Sequence, residues 1–320
     1  MRSVLTIDNV EAAAVRLADV VTRTPIVNHR RIDAVAGATV HLKAENLQET
    51  GAFKYRGASN AIARLDPKTR RAGVVTYSSG NHGQAVAAAA KAAGTTAVVV
   101  MPNDAPLQKV ALTQSHGARI VRYDRYTESR SDIADAIAVY EGRTVIPPFD
   151  HYDVMAGQGT VALELLDQVP DLDALLVPVG GGGLLAGCAT VMRARRPSME
   201  LYGVEPEAGD DHRQSRRAGR RIDIGVPRTI ADGQQVPTPG ELTWPINDRL
   251  TTQFLVASDA EIVAAMRLLF EQTQMVVEPS GACALAALLA GRVSLRGKRV
   301  GVILSGGNVS WPRFQELTSA

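Results

Sequence analysis

Short apolar runs alternate along this chain with longer stretches in which apolar positions recur every three or four residues. That alternation predicts strands interleaved with helices. "GVVTYSS" (73–79), "TTAVVVMP" (95–102) and "ARIVRYD" (118–124) read as strands. Around them, "GQAVAAAAKAAG" (83–94) reads as an alanine-rich helix and "SRSDIADAIAVYEG" (129–142) as another. Past the proline-punctuated "TVIPPFDHYD", a helix is expected in "MAGQGTVALELLDQV", a strand in "DALLVPV" (173–179), a helix in "LLAGCATVMRARR" and a strand in "ELYGVEP" (200–206). "SDAEIVAAMRLLFEQTQ" (258–274) opens with Ser258 and carries Glu261 three residues later, the reciprocal cap of a helix start. A helix in "EPSGACALAALLAG" and a strand in "KRVGVILSGGN" complete the pattern. It predicts an α/β chain with mostly parallel strands.

Composition narrows the picture. With 320 residues, 45% of them hydrophobic, the chain has material for one large or two moderate domains. A near balance of 35 basic and 33 acidic residues speaks against a nucleic-acid or other polyanion binder. The densest basic cluster, "HRQSRRAGRR" (212–221), is expected to be the solvated face of an amphipathic helix. Cys188 and Cys283 lie in apolar, small-residue runs and read as buried free thiols, which fits a reducing, cytoplasmic setting. The first twenty residues read as a capped amphipathic helix rather than a leader. Ala174 to Met192 is uncharged, but Pro178 and four consecutive glycines interrupt it, so no membrane span is expected. No separate regulatory domain is expected after the last strand.

Three glycine-containing loops follow predicted strands, the place where open α/β sheets bind ligands. Gly180 to Gly183 lack the Lys-Ser/Thr ending of a nucleoside triphosphate loop and the spaced glycines of a dinucleotide fold. They suit a single phosphate at a helix N-terminus; a tight strand-to-helix turn is the plainer alternative. In "SSGNHG" (78–83), Ser78, Ser79, Asn81 and His82 offer donors to a carboxylate, or else simply cap a turn. "SGGN" (305–308) is the third loop. In "GAFKYRG" (51–57), Lys54 stands beside Phe53. A lysine must be neutral to attack a carbonyl, and desolvation beside an apolar ring favours that state. A phosphate loop, a carboxylate loop and such a lysine together point to pyridoxal phosphate acting on an amino acid.

"ENLQETGAFKYRGASNAI", "SSGNHGQAVA", "AGQGTVALELL", "PVGGGGLLAG" and "LSGGN" resemble, in order, the pyridoxal-phosphate enzymes of the serine/threonine dehydratase and serine racemase family, from about residue 20 to 310. The resemblance implies the tryptophan-synthase-β-like fold (fold type II), with two open, twisted α/β domains and the cofactor in the cleft between them. It implies a large domain of residues 1–50 and 151–320, a small mobile domain of 51–150, and a homodimer. Lys54 becomes the lysine that bonds the cofactor aldehyde, with Phe53 against the ring. Asn81 meets the ring hydroxyl, Gly180, Gly181, Gly182 and Gly183 cradle the phosphate, and Ser305 faces the pyridine nitrogen. A hydroxyl leaves that nitrogen neutral, so the ring is a weak electron sink, which favours expulsion of a β-substituent.

The activity implied first is ammonia loss from L-serine or L-threonine, with Lys54 as base. Two rival activities stand beside it. Ser79 matches the second acid/base of the racemases, on the face opposite the lysine, which would make the protein an amino-acid racemase. A 3-hydroxyaspartate dehydratase would need a basic group for the second carboxylate. Arg130 matches an arginine near the substrate carboxylate, or is a surface charge. Glu205, the Gly209 carbonyl and Asp211 match a divalent-cation site built of hard oxygen donors, suited to Mg²⁺ or Ca²⁺. Pro147 and Phe149 depart from the family's histidine and the racemase's asparagine. Gln234, Gln235 and Val236 do not reproduce the racemase's serine in a loop expected to reach the cleft.

Overall fold

The computed structural model describes residues 4–105 and 107–319. Ten strands occur among them: β1 (Ile26–Val27), β2 (Thr39–Ala44), β3 (Val74–Tyr77), β4 (Ala97–Pro102), β5 (Arg119–Tyr123), β6 (Thr144–Val145), β7 (Ala174–Pro178), β8 (Glu200–Pro206), β9 (Gln253–Ala257) and β10 (Arg299–Leu304). They form two sheets. One has six strands in the order β1-β2-β10-β7-β8-β9; the other has four, in the order β5-β4-β3-β6. Every pairing is parallel except that of β1 with β2.

Both faces of the six-stranded sheet are covered, which is why its strands read as unbroken apolar runs. Along β7, Leu175 and Val177 enter a core with the helices Ile7–Leu17, Tyr152–Gln168 and Gly183–Arg195. Leu176, between them, faces the opposite core, built with the helices Asp259–Thr273 and Pro279–Leu289. Cys188 and Cys283 are buried free thiols, one in each core, and burial pushes both thiols up from their ordinary range.

The patterned helices are present, with shifted starts. The helix expected after "GNHG" begins at Asn81, so Asn81 and His82 occupy its first turn and not the loop before it. The helix around "AGQGTVALELL" begins at Tyr152, inside the presumed link, with the His151 ring accepting the Asp153 N–H. Ser258 and Glu261 do form the reciprocal cap. The basic cluster holds the helix Asp211–Ala218, which stops at Gly219, leaving Arg220 and Arg221 beyond it. Among the described residues no helix is long and apolar enough to cross a membrane.

The helix Lys54–Ala63 is fixed by two contacts. A Cβ on Gly157 would lie 2.7 Å from the Gly57 Cα, so this helix and Tyr152–Gln168 cross backbone against backbone. Beside the crossing, the fully buried Arg56 guanidinium holds two carboxylates at once. It donates to both oxygens of Glu45 (2.8 and 2.9 Å) and to both of Glu164 (2.7 and 2.9 Å). Lys43 adds a 2.6 Å bond to Glu164. Burial opposes the charge on Arg56, but the two carboxylates outweigh it and hold its pKa above the ordinary value.

Candidate active site

Lys54 is the first residue of its helix, and Phe53 before it supplies no side-chain cap. The Phe53 N–H donates to the Ser305 carbonyl (3.0 Å), and Gly307 N–H to Gly51 O (2.9 Å). These bonds stitch the lysine segment to the end of β10, where Ser305 is buried. The Lys54 ammonium lies 5.1 Å from the Phe53 ring centroid and donates to Pro148 O (2.6 Å). Desolvation lowers its pKa to about 8, in line with the need for a neutral amine.

Pro148 leads to Phe149, whose ring lies against Gly181. Gly182 sits at φ +92°, a conformation that a side chain rarely adopts, and a Cβ there would come within 2.8 Å of His212 Nε2. Thr243 Oγ1 donates to Gly181 O (2.7 Å) and Asn247 Nδ2 to Gly182 O (3.0 Å). With these carbonyls engaged on one side, the N–H groups of Gly181, Gly182 and Gly183 meet no backbone acceptor among the described residues. The helix Gly183–Arg195 that follows has no side-chain cap. Those free donors, at the positive end of a helix, suit a phosphate.

Ser78 and Ser79 follow β3 at the point where β4 and β6 flank it on opposite sides. The Ser78 hydroxyl accepts the Gly80 N–H (3.2 Å), whereas the Ser79 hydroxyl makes no hydrogen bond among the described residues. Asn81 starts an uncapped helix. Its Nδ2 donates to Glu278 (2.6 Å), and its Oδ1 accepts from Asn308 (2.9 Å). His82 is turned inward: its Nε2–H donates to Ile146 O (2.9 Å), so that ring donor is spent within the protein. Desolvation, then Lys54, depress the His82 pKa to about 3 and keep the ring neutral. Arg130 is exposed, 5.6 Å from the centroid of Tyr77, the residue before Ser78, and it has no ion-pair partner among the described residues.

Glu278 was not anticipated. It is buried, and desolvation, with Asp232 nearby, pushes its pKa up to about 7 against the pull of Lys109 and Asn81. A lone carboxylate in the apolar run "MVVEPSGACALA" was the available signal.

Away from Lys54, at the end of β8, Glu205, Asp211 and His212 are buried with ligand atoms within 4.8 Å of one another. Glu205 accepts the backbone N–H groups of His212 (2.8 Å) and Arg213 (3.0 Å). Both carboxylate oxygens of Asp211 are buried without a hydrogen-bond partner. Gly209 is buried in the turn between them. The sequence reading named Glu205, Gly209 and Asp211 but put His212, the very next residue, on a solvated helix face; His212 is instead fully buried, as is Ser215. Burial pushes Glu205 up to about 7, and the two carboxylates outweigh burial to hold His212 at about 9. Such a cluster seeks positive charge.

The model for the family described as pyridoxal-phosphate dependent enzyme matches residues 17–306. The chain belongs to that family. L-threo-3-hydroxyaspartate ammonia-lyase of Saccharomyces cerevisiae is 47% identical over 307 residues, covering 96% of this chain and 94% of that protein. Serine racemase of Schizosaccharomyces pombe is 44% identical over 314 residues, covering 98% and 97%. The structure of maize serine racemase superposes with a TM-score of 0.94 at 40% identity, covering 98% and 97%. The fold is therefore fold type II of the pyridoxal-phosphate enzymes, and the chain falls among its ammonia-lyases and racemases.

Proposed function

We propose that this protein is an ammonia-lyase for β-hydroxy amino acids, with L-threo-3-hydroxyaspartate as its preferred substrate. Arg130 carries the choice of an acidic substrate: an unpaired guanidinium beside the loop that would hold the α-carboxylate leaves a cation for a second one. The names of the relatives in yeast and Pseudomonas support the same choice. L-Serine and L-threonine, the substrates expected from the motifs, lack that carboxylate and become the weaker ones.

The free donors of Gly181 to Gly183 fit the cofactor phosphate, and buried Ser305 fits the ring nitrogen. Bound pyridoxal phosphate supplies the electron sink that acidifies the substrate α-carbon. Helix N–H groups behind Ser79 hold the α-carboxylate. The neutral Lys54 Nζ takes the α-proton. The β-hydroxyl departs as water, and one water is taken up in hydrolysis, so hydroxyaspartate yields oxaloacetate and ammonia. The oxygens of Glu205 and Asp211, with the Gly209 carbonyl, fit a divalent cation, because Asp211 brings two buried oxygens without a hydrogen-bond partner.

Racemisation is the second reading, favoured by the unpaired Ser79 hydroxyl, which would return the proton on the other face. The deciding experiment measures 2-oxo acid release from L-threo-3-hydroxyaspartate, L-serine and L-threonine. A kcat/KM for hydroxyaspartate at least about tenfold above that for serine is expected. An equal or reversed ratio overturns the acidic-substrate reading.

A further inference from the structure

Two buried side chains join the cation cluster to the phosphate loop. We infer that Asn247 and His212 are positioning residues through which a cation held by Glu205 and Asp211 tightens the Gly180–Gly183 loop around the cofactor phosphate; this rests on the cation reading above.

Asn247 lies on the helix Trp244–Leu250 and is fully buried. Its Nδ2 is 3.0 Å from Gly182 O and 3.4 Å from His212 Nε2. The carbonyl accepts only, so it fixes the amide with Nδ2 toward the loop, and the same Nδ2 also meets the imidazole. The other ring nitrogen is Nδ1. That atom stands 3.5 Å from Glu205 Oε1 and 3.5 Å from Asp211 Oδ2. The contacts run unbroken from two carboxylates, through one ring and one amide, to the carbonyl whose orientation frees the phosphate-binding donors.

The surroundings make this link stiff. The His212 ring is held between Trp244 and Phe254, with centroids 6.0 and 5.4 Å away. Arg216, one turn along the helix that carries Asp211, donates to the carbonyls of Asn247 (3.1 Å) and Thr251 (3.1 Å) and to Asp248 (3.0 Å). That clamp makes the two helices move together. Gly182 is also packed close to His212, since an added Cβ there would come within 2.8 Å of the imidazole. A cation that fixes the two carboxylates thus fixes the ring, the amide and the loop in turn.

The test uses full-length apo-protein titrated with pyridoxal phosphate, with and without Mn²⁺, following visible absorbance. Mn²⁺ binding itself is read by calorimetry with the metal alone. In the wild type, Mn²⁺ should lower the cofactor Kd about fivefold or more, and the cofactor should tighten Mn²⁺ by the same factor. Asn247→Leu removes the amide at similar volume; His212→Phe keeps the ring packing and removes both nitrogens. Each leaves Glu205 and Asp211 in place, so either suffices if the other fails to fold. Both should still bind Mn²⁺, but the cofactor Kd should no longer respond to it. A full response in either variant overturns the inference, as does wild-type Mn²⁺ binding with unchanged cofactor affinity. No Mn²⁺ binding by the wild type overturns the cation reading and takes the inference with it.

Discussion

Lys54 Nζ and the Pro148 carbonyl are joined by a 2.6 Å hydrogen bond across 94 residues of chain. The bond aims the amine at the segment whose next residue, Phe149, packs against the phosphate loop. Lysine and phosphate cradle are thereby tied to the same two residues, Pro148 and Phe149.

The first prediction concerns that amine. With its pKa lowered from 10.5 to about 8, Lys54 holds about 300-fold more neutral amine at pH 7 than an ordinary lysine. The rate at which apo-protein bonds pyridoxal phosphate should therefore rise with pH and level off above about 8. Stopped-flow absorbance checks the midpoint; a rate still climbing past pH 10 would contradict the buried setting. Lys54→Ala should lower kcat by about 10³-fold or more.

Ser79→Ala separates the two chemistries. Elimination should stay within about threefold of the wild type, because the lysine face is untouched, while any D-isomer formed from an L-substrate should vanish. Chiral chromatography and 2-oxo acid release, on the same samples, read both. Lost elimination with the cofactor still bound would show that Ser79 serves the lyase reaction itself.

Arg130→Met should raise KM for L-threo-3-hydroxyaspartate by about tenfold or more and leave KM for L-serine within about twofold. An equal loss for both substrates would instead assign Arg130 to the α-carboxylate.

Glu278 gives a pH signature. Its folded pKa, about 7, lies above the unfolded value near 4.5, so the folded state binds the extra proton between them. Its contribution is most favourable below the unfolded pKa and is lost as pH rises through 7, about 3 kcal/mol in all. Glu278→Gln keeps an acceptor for Asn81 and abolishes the titration. Denaturant unfolding of the apo-protein from pH 4.5 to 8 should show a flatter stability profile in the variant.

Much of this site could be read from local sequence, for a physical reason. The glycine loop, Lys54 and the Ser79 loop all sit where a strand ends and a helix begins, and that junction leaves a mark in a few consecutive residues. Glu278 shows only as a lone carboxylate in an apolar run and Asn308 only as the end of "SGGN", and Asn247 leaves no mark. Each acts on a partner far away in sequence, as Asn308 does on Asn81 across 227 residues, so only the folded chain brings them together. His82 shows the converse: its place in the motif suggested a substrate contact, but the Ile146 carbonyl at the end of β6 claims its ring. β1 and β6 were missed because two residues cannot display a period. β2, β9 and the helix Trp244–Leu250, of five to seven residues, also went unread.

Arg56, two residues beyond Lys54, anchors the reactive lysine by a charge cluster almost wholly withdrawn from solvent, with only Glu164 partly exposed. Pairs at the surface, such as Lys298 with Glu200, are open to screening by dissolved salt. The Arg56 node balances its charge from within, Arg56 and Lys43 against Glu45 and Glu164. The lysine is thus held in place by electrostatics that ionic strength tunes far less than it tunes a surface pair, and its position should be nearly insensitive to the saltiness of its surroundings while the chain stays folded.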